Sequence, residues 1–241
     1  MNMGLSPAAL GLDYAKGLLL RAKALIFDVD GTLAETEEVH RQAFNEAFEK
    51  TGLDWCWGRT IYKELLQVAG GKERIRAFDA MRPGSLLLSD PEVTELHRVK
   101  TARYVELMHQ GACPLRPGVV DLLAAAHGRG QRLAIATTTS RANIDALLSV
   151  AIGPDWCSLF EAIVAGDEVG RKKPAPDVYL EVLRRLDLPV AECLAFEDSC
   201  NGLRSATQAG IPVVITRSIY FRNDDFSDAI LAVDELTELT K

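Results

Sequence analysis

The 241-residue sequence lacks an excess of basic charge. Its formal net charge is −7, from 27 Lys and Arg against 34 Asp and Glu. That balance argues against a surface built to attract nucleic acid or anionic lipid, so we expect neither as a partner. An anionic small molecule would need a local cationic pocket.

The sequence also lacks paired cysteines and long apolar runs. Five scattered cysteines form no CxxC pair, which indicates neither a disulfide framework nor a zinc site: Cys56, Cys113, Cys157, Cys193 and Cys200. The first two dozen residues have no basic leader, and Asp13 and Lys16 interrupt their apolar stretches, so neither a secretion signal nor a membrane span is predicted. We therefore expect a cytoplasmic protein, and a monomer.

Short apolar runs alternate with helical patterns through most of the chain. Such alternation predicts a doubly wound, Rossmann-like parallel sheet whose ligands bind beyond the carboxyl ends of the strands. The predicted strands are Ala24–Val29, Arg132–Thr137, Ala162–Ala165, Cys193–Phe196 and Pro212–Thr216. The predicted helices between them are Val119–Gly128, Arg141–Val150, Pro176–Leu186 and Gly202–Ala209.

The stretch from Glu37 to about Gly111 breaks this alternation, because helix follows helix without a comparable strand run. An apolar stripe at Val39, Ala43, Phe44, Ala47 and Phe48 marks its first helix. We predict an α/β core at 23–34 and 112–241, an inserted all-helical cap at 35–111, and an N-terminal extension at 1–22 whose role is unknown. For that extension we expect only a loosely attached helix.

The first strand runs into the sequence Asp28-Val29-Asp30-Gly31-Thr32. Two carboxylates two residues apart point the same way while the chain is extended. Because close like charges repel, a bound cation is the economical explanation. Taken alone, the same letters also fit an Asx turn at a strand end.

Later strand ends each deliver a group that phosphoryl transfer requires. Thr137 supplies a hydroxyl, Lys173 an ammonium, and Glu197 with Asp198 an acidic pair. Each has an ordinary alternative: a helix cap for Thr137, a solvated loop charge for Lys173, and an interaction with the helix dipole for the pair. Four such strand ends in one order favour a shared site over four coincidences.

These four motifs resemble those of the haloacid dehalogenase-like (HAD) superfamily, with a match spanning Lys23 to Thr216. The resemblance implies that Asp28 is a nucleophile forming an aspartyl phosphate and that Asp30 is the general acid and base. It also implies that Thr137 and Lys173 hold the phosphate. Mg²⁺ would be bound by Asp28, the backbone carbonyl of Asp30, Asp198 and Glu197.

The cap position and the phrases FDVDGTLAETEEVH, GGKERI and KPAPDVY are similar to the β-phosphoglucomutase and CbbY-type branch. This implies a phosphatase of small sugar phosphates, in particular of a bisphosphate such as xylulose 1,5-bisphosphate. Two glycines before Lys72 and Arg74 suit a second phosphate site, although a solvated first helical turn would look the same. Glu35 and His40 are further candidates for substrate binding, with Tyr62, Arg141 and Asn143 as weaker ones.

Two other functions remain compatible with the sequence. A phosphosugar mutase would use the same aspartyl phosphate and differ in whether water or a sugar hydroxyl attacks it. A non-catalytic phosphate-binding module on the same type of sheet would show no turnover. A dinucleotide-binding site is disfavoured because no G-x-G-x-x-G follows the first strand.

Overall fold

A computed structural model describes residues 7–82 and 87–240, with side chains from residue 11 onward. Parts of three predicted segments lie outside the described residues: 1–6 of the extension, 83–86 of the cap and 241 of the core. Among the described helices, none is long and apolar enough to cross a membrane.

The core is a parallel sheet, as predicted. Its strands are β1 (Ala24–Phe27), β2 (Arg132–Ala136), β3 (Ala162–Val164), β4 (Cys193–Glu197), β5 (Val213–Thr216) and β6 (Leu231–Val233), in the spatial order β3-β2-β1-β4-β5-β6. Every neighbouring pair is parallel. The doubly wound α/β fold class is confirmed, while β6 was not among the predicted strands.

Helices cover both faces of the sheet. They are α1 (Pro7–Arg21), α6 (Val119–Gly128), α7 (Arg141–Ala151), α8 (Asp177–Leu186), α9 (Cys200–Gln208) and α10 (Thr237–Thr240). Ala24 and Ile26 of β1 pack into one apolar layer, and Leu25 and Phe27 pack into the other. This alternation explains the continuous apolar run, since both faces of a central parallel strand are buried.

Between β1 and α6 the described chain is helical: α2 (Glu37–Lys50), α3 (Arg59–Leu65), α4 (Gly71–Ala80) and α5 (Asp90–His109). Its core is aromatic. The ring of Trp57 lies 4.5 Å from Phe44 and 4.8 Å from Phe48, and Trp55 lies 5.3 Å from Phe48. The two tryptophans thus hold the cap helices together, while the exact domain boundaries stay a prediction.

Helix α1 is packed more firmly than the sequence suggested. Ala15 and Leu19 are buried in the same apolar layer as Leu239 of α10. At the carboxyl end of α1, the Gln131 Nε2 group donates hydrogen bonds to the carbonyls of Leu19 (2.7 Å) and Ala22 (2.6 Å). Two carbonyls that the helix leaves unpaired are thereby satisfied.

Candidate active site

The register between β1 and β4 brings three predicted carboxylates together. Phe27 pairs with Phe196, and the Asp28 amide donates to the Phe196 carbonyl at 3.0 Å. Asp28 therefore leaves its strand beside Glu197 and Asp198. Each of the three acids offers an oxygen within 4.8 Å of the others, and all three are buried.

Lys173 joins this acidic group from the loop that follows β3. Its Nζ donates to Asp28 Oδ1 (2.6 Å), to Glu197 Oε1 (2.5 Å) and to the Ala136 carbonyl (2.9 Å). Burial opposes the charge, but Asp28 and Glu197 outweigh it and raise the pKa of Lys173. This buried lysine is a permanent cation beside the proposed nucleophile, which decides against a solvated loop charge.

Neighbouring groups shift the pKa of the Asp28 carboxyl in opposite directions. Burial raises its pKa to about 7, with Glu197 adding to the shift and Lys173 opposing it. Burial also raises the pKa of Asp198, with help from Asp28 and Glu197. Three buried carboxyls against one ammonium form a site that favours additional positive charge.

The donor atoms of this group fit a hard divalent cation. Glu197 Oε2 and Asp198 Oδ2 are buried and have no hydrogen-bond partner among the described residues. Neighbouring glycines make room for both oxygens: a Cβ on Gly31 would lie 1.9 Å from Asp198 Oδ2, and one on Gly202 would lie 1.8 Å from Glu197 Oε2. Carboxylate oxygens are the ligands such ions prefer, and an ion here would supply charge neutralisation for a bound phosphate.

Asp30 points to a different set of partners, and its side chain is not in the acidic group. Its Oδ1 accepts hydrogen bonds from Thr36 Oγ1 (2.6 Å) and His40 Nε2 (3.1 Å). Burial would raise the pKa of Asp30, but the interaction with His40, the Thr36 hydroxyl and the charge of Lys100 lower it. The predicted metal contact through the Asp30 backbone carbonyl stays a prediction.

A buried lysine on α5 sets the orientation of His40. Lys100 Nζ lies 2.6 Å from His40 Nδ1, and the Tyr104 ring stacks on the imidazole at 4.1 Å. An ammonium can only donate, so Nδ1 accepts and Nε2 carries the hydrogen that points at Asp30. Burial and the Lys100 charge lower the pKa of His40, which is consistent with a neutral imidazole in that tautomer.

Thr137 and the residues after it form another wall of the site. Thr137 is buried at the end of β2, and its Oγ1 accepts a hydrogen bond from the Thr139 amide at 3.3 Å. Ser140 Oγ and Asn143 Oδ1, both buried, have no hydrogen-bond partner among the described residues. These groups line the same cavity as Asp28 and Lys173, whereas Arg141 pairs with Asp145 at 3.2 Å.

The cavity has a volume of about 90 Å³ and lies between cap and core. Three cations of the cap helices line it, Lys72, Arg74 and Lys100, together with Lys172 from the loop after β3. His97 lies among them, and burial together with the charges of Lys100, Lys72 and Lys172 lowers its pKa to about 3. The chain is acidic as a whole, yet these four side chains supply the local positive charge that an anionic ligand requires.

Lys72 and Arg74, the two predicted phosphate-binding residues of the cap, differ in their side-chain contacts. Lys72 lines the cavity. Arg74 also lines it, but its side chain is engaged by the Leu65 carbonyl (3.2 Å) and by Tyr62 Oη (3.1 Å), which in turn donates to Glu37 Oε2 (2.7 Å). Substrate roles for Lys72 and Arg74 stay predictions, and the geometry favours Lys72 as the direct contact.

Glu35 is not brought to this cavity. Its carboxylate lies 3.4 Å from Arg116 and 3.2 Å from the Ile219 amide, and it lines a separate surface cavity beside Arg217. The side chain turns away because a buried guanidinium and a backbone amide hold it there. A sugar contact through Glu35 stays a prediction that this arrangement does not favour.

Sequence reasoning missed several residues of the site. Thr36 is close to the DxDGT motif and could have been suspected from its hydroxyl. Lys100 interrupts the buried stripe of Val93, Leu96 and Tyr104 on α5, and a charge at a core position was its signal. Tyr179, which donates to Glu197 Oε1 at 2.5 Å, looked like an ordinary buried aromatic on α8.

Comparison with known proteins agrees with this geometry. Residues 22–210 match the family model described as haloacid dehalogenase-like hydrolase. The chain belongs to the haloacid dehalogenase-like hydrolase family. The predicted family is confirmed, and with it the prediction of an enzyme that hydrolyses phosphoric monoesters.

Individual family members cover nearly the whole chain. It is 54% identical over 219 residues to Protein CbbY of Rhodobacter capsulatus, covering 90% of this chain and 95% of that protein. It is 31% identical to fructose-1-phosphate phosphatase YqaB of Escherichia coli, covering 82% and 97%. A structure of a CbbY mutant from Rhodobacter sphaeroides in complex with xylulose-(1,5)bisphosphate superposes with a TM-score of 0.86, at 46% identity and 90% and 96% coverage.

Proposed function

We propose that the chain is a Mg²⁺-dependent phosphatase of a small sugar bisphosphate, such as xylulose 1,5-bisphosphate. The observation that carries the proposal is the pairing of two features across one cavity. A buried Asp28–Lys173 contact of 2.6 Å lies on the core side, and a cationic wall lies on the cap side. The CbbY relatives, one of them in complex with this bisphosphate, support the substrate class.

In this proposal Asp28 attacks the phosphorus of one phosphate. A bond forms between the Asp28 carboxylate oxygen and phosphorus while the bond from phosphorus to the sugar oxygen breaks. Lys173 and Thr137 neutralise and orient the phosphate oxygens. Asp28, Glu197 and Asp198 would hold Mg²⁺, which supplies neutralisation of the phosphate charge when bound.

Asp30 moves the proton in both half-reactions. The negative charge of a bound phosphate raises the pKa of Asp30 again, so the carboxyl can carry a proton on Oδ2, the oxygen that Thr36 and His40 do not hold. It gives this proton to the departing sugar oxygen and then takes one from the water that cleaves the aspartyl phosphate. Thr36 and His40 hold its Oδ1, so the carboxyl keeps one direction through both steps. Lys72 on α4 binds the phosphate that does not react, which accounts for a preference for bisphosphates.

The test is phosphate release from a panel of sugar mono- and bisphosphates with MgCl₂. We expect the highest kcat/KM with a bisphosphate, no release after chelation by EDTA, and no turnover with Asp28→Asn, whose amide cannot act as the nucleophile. Conversion of a monophosphate to its isomer without phosphate release would identify a mutase instead. Absence of both reactions with every substrate would defeat the enzymatic proposal.

The second-phosphate part has its own test in Lys72→Ala. This change should raise KM for the bisphosphate by about tenfold, the order expected for one charge-assisted phosphate contact, and leave KM for a monophosphate nearly unchanged. Equal effects on both substrates would remove Lys72 from the proposal. A cytoplasmic location and a monomeric state remain our predictions.

A further inference from the structure

Arg116 is a buried cation directly beneath the loop that carries Asp28 and Asp30. It lies between α5 and α6 and is only 8% exposed. Its Nη1 donates to the carbonyls of Gly31 and, at 3.3 Å, Thr216. Its Nη2 donates at 2.8 Å to the carbonyls of both Arg217 and Asp234.

The four carbonyls come from three segments. The sheet joins the ends of β5 and β6, where the Arg217 amide donates to the Val233 carbonyl at 2.8 Å, but β1 is a neighbour of neither strand. Gly31 belongs to the loop after β1, Thr216 and Arg217 to the end of β5, and Asp234 to the end of β6. Carbonyls past the ends of strands have lost their ladder partners and require other donors. A guanidinium provides five N–H groups in a rigid fork, whereas the three donors of a lysine diverge from a single atom.

The backbone of Arg116 is fixed to the same loop. Its amide donates to the Leu33 carbonyl at 2.8 Å, and the preceding Leu115 forms an antiparallel bridge with Ala34. Glu35 lies 3.4 Å from the guanidinium and balances its charge. Main chain and side chain together clamp the segment from Gly31 to Glu35.

This clamp acts at a crowded point of the site. Gly31 adopts φ +82°, its amide donates to Ala34 at 2.8 Å, and its Cα faces Asp198 Oδ2 so closely that a Cβ would lie 1.9 Å away. The carbonyl of Gly31 is the group Arg116 holds. Because the residue whose carbonyl Arg116 holds also packs against Asp198, a shift of Gly31 would change its distance from the Asp198 carboxylate.

We propose that Arg116 is a positioning residue for the reaction, which rests on the proposed function above. By joining the loop after β1 to the ends of β5 and β6, it fixes the Asp30 segment relative to Asp198. It does not touch the cavity that holds the reacting groups. Its contribution is therefore to kcat and to cation affinity rather than to substrate binding.

The test compares Arg116→Lys with Arg217→Lys as a matched control. Arg217 lines the surface cavity that Glu35 and Arg116 also line, and it donates to the Ala232 carbonyl at 2.7 Å. Among the described residues, its side chain forms no hydrogen bond or ion pair with the Gly31 loop. We expect Arg116→Lys to lower kcat by about tenfold to a hundredfold with KM changed less than about threefold, since a misplacement near 1 Å has effects of that order. Arg217→Lys should keep kcat within about twofold.

Two further measurements test the inference even if Arg116→Lys folds poorly or the wild-type protein shows no phosphatase activity. Calorimetric titration with MgCl₂ alone should show about tenfold weaker binding for Arg116→Lys than for Arg217→Lys, whatever the activity. Guanidinium chloride at tens of millimolar should partly restore kcat to Arg116→Ala and not to Arg217→Ala.

Unchanged kcat and Mg²⁺ affinity in Arg116→Lys would overturn the inference, as would equal losses in Arg116→Lys and Arg217→Lys. A wild-type protein without phosphatase activity would instead defeat the proposed function. In that case the Mg²⁺ titration alone would decide whether Arg116 organises the acidic site.

Discussion

Glu73 on α4 and Lys172 in the loop after β3 form an ion pair between cap and core, with 2.9 Å between Oε2 and Nζ. Lys172 also lines the cavity, immediately before Lys173. Gly70 leaves space for this pair, since a Cβ there would lie 2.2 Å from Glu73 Oε2 and 2.6 Å from Lys172 Nζ. The same contact that closes the cap also neutralises one of the cations facing the ligand.

Glu73→Gln should therefore tighten substrate binding. Removing the carboxylate frees Lys172 for a phosphate and takes a negative charge away from the cavity. We expect KM for the bisphosphate to fall by about threefold at low salt, the order of a partly exposed ion pair, with a smaller difference at high salt. Steady-state kinetics would check this, with Glu95→Gln as the control. Glu95 pairs with Arg98 on the same helix, α5, so its ion pair does not join cap and core. An unchanged or raised KM in Glu73→Gln would contradict it.

Gly31→Ala and Gly52→Ala form a matched pair. Both glycines have positive φ, +82° and +76°, so each substitution carries a left-handed strain of about 1–2 kcal/mol. Only at Gly31 would the new methyl group meet a carboxylate, because nothing lies within 4 Å at Gly52. Thermal unfolding should show a loss of stability from strain in both variants and a further loss from the clash in Gly31→Ala. The value of kcat should fall about a hundredfold in Gly31→Ala alone. Comparable kcat values in the two variants would show that the space beside Asp198 is not needed.

Lys100→Met should stabilise the protein near neutral pH. Burial lowers the pKa of Lys100 to about 7, from an ordinary value of ~10.4. Arg74 adds to this effect, and Asp30 and Glu37 oppose it. The folded state thus disfavours the protonated lysine. This destabilisation is complete below about pH 7 and disappears as the pH rises toward ~10.4. The variant should have a Tm higher by several degrees at pH 6, converging with wild type near pH 10.

Lys50→Met controls for the loss of a lysine, since Lys50 is exposed at the end of α2. Its Tm should follow wild type at every pH. A Lys100→Met protein that is less stable than wild type at pH 6 would mean that contacts of the ammonium outweigh its desolvation. Calorimetric melting from pH 6 to pH 10 separates the two outcomes.

Gln131→Ala should weaken the attachment of α1 without affecting the reaction. The change leaves the carbonyls of Leu19 and Ala22 without their side-chain donor, at a cost of about 1–3 kcal/mol for buried groups. Tm should fall by about 2–10 °C on the scale expected for a chain of this size, and amide exchange in α1 should accelerate. Gln208→Ala, exposed at the end of α9, should show neither effect. If exchange in α1 is the same in both variants, the hydrogen bonds of Gln131 do not hold the helix.

The strand ends could be predicted because they combine local signals. A buried apolar run that ends in, or is soon followed by, Asp, Thr, Lys or Glu-Asp can be recognised over a few residues. The parallel sheet then brings the carboxyl ends of its strands to one edge. Asp28, Thr137, Lys173 and Asp198 accordingly line one cavity, and Glu197 lies beside Asp28 and Asp198. The helical nature of the cap followed from the same kind of periodicity.

Contacts between side chains that lie far apart in the chain could not be predicted from the sequence. The contact between His40 and Lys100 joins residues 60 positions apart, and that between Arg116 and Asp234 joins residues 118 positions apart. No local pattern determines which way a side chain turns when several partners compete for it. Glu35 illustrates this, because its position near the nucleophile suggested a sugar contact while Arg116 and the Ile219 amide direct it elsewhere.

The pairing of β1 with β4 has a consequence for how the protein acquires its chemistry during synthesis. Asp28, the proposed nucleophile, is synthesised early, but Glu197 and Asp198 are encoded about 170 positions later, and only the pairing of β1 with β4 brings them beside it. Until β4 has left the ribosome, a nascent chain contains Asp28 but lacks Glu197 and Asp198 beside it, and we expect it to be inert toward phosphate esters. Chains stalled or cleaved ahead of Cys193 would thus lack half of the catalytic carboxylates.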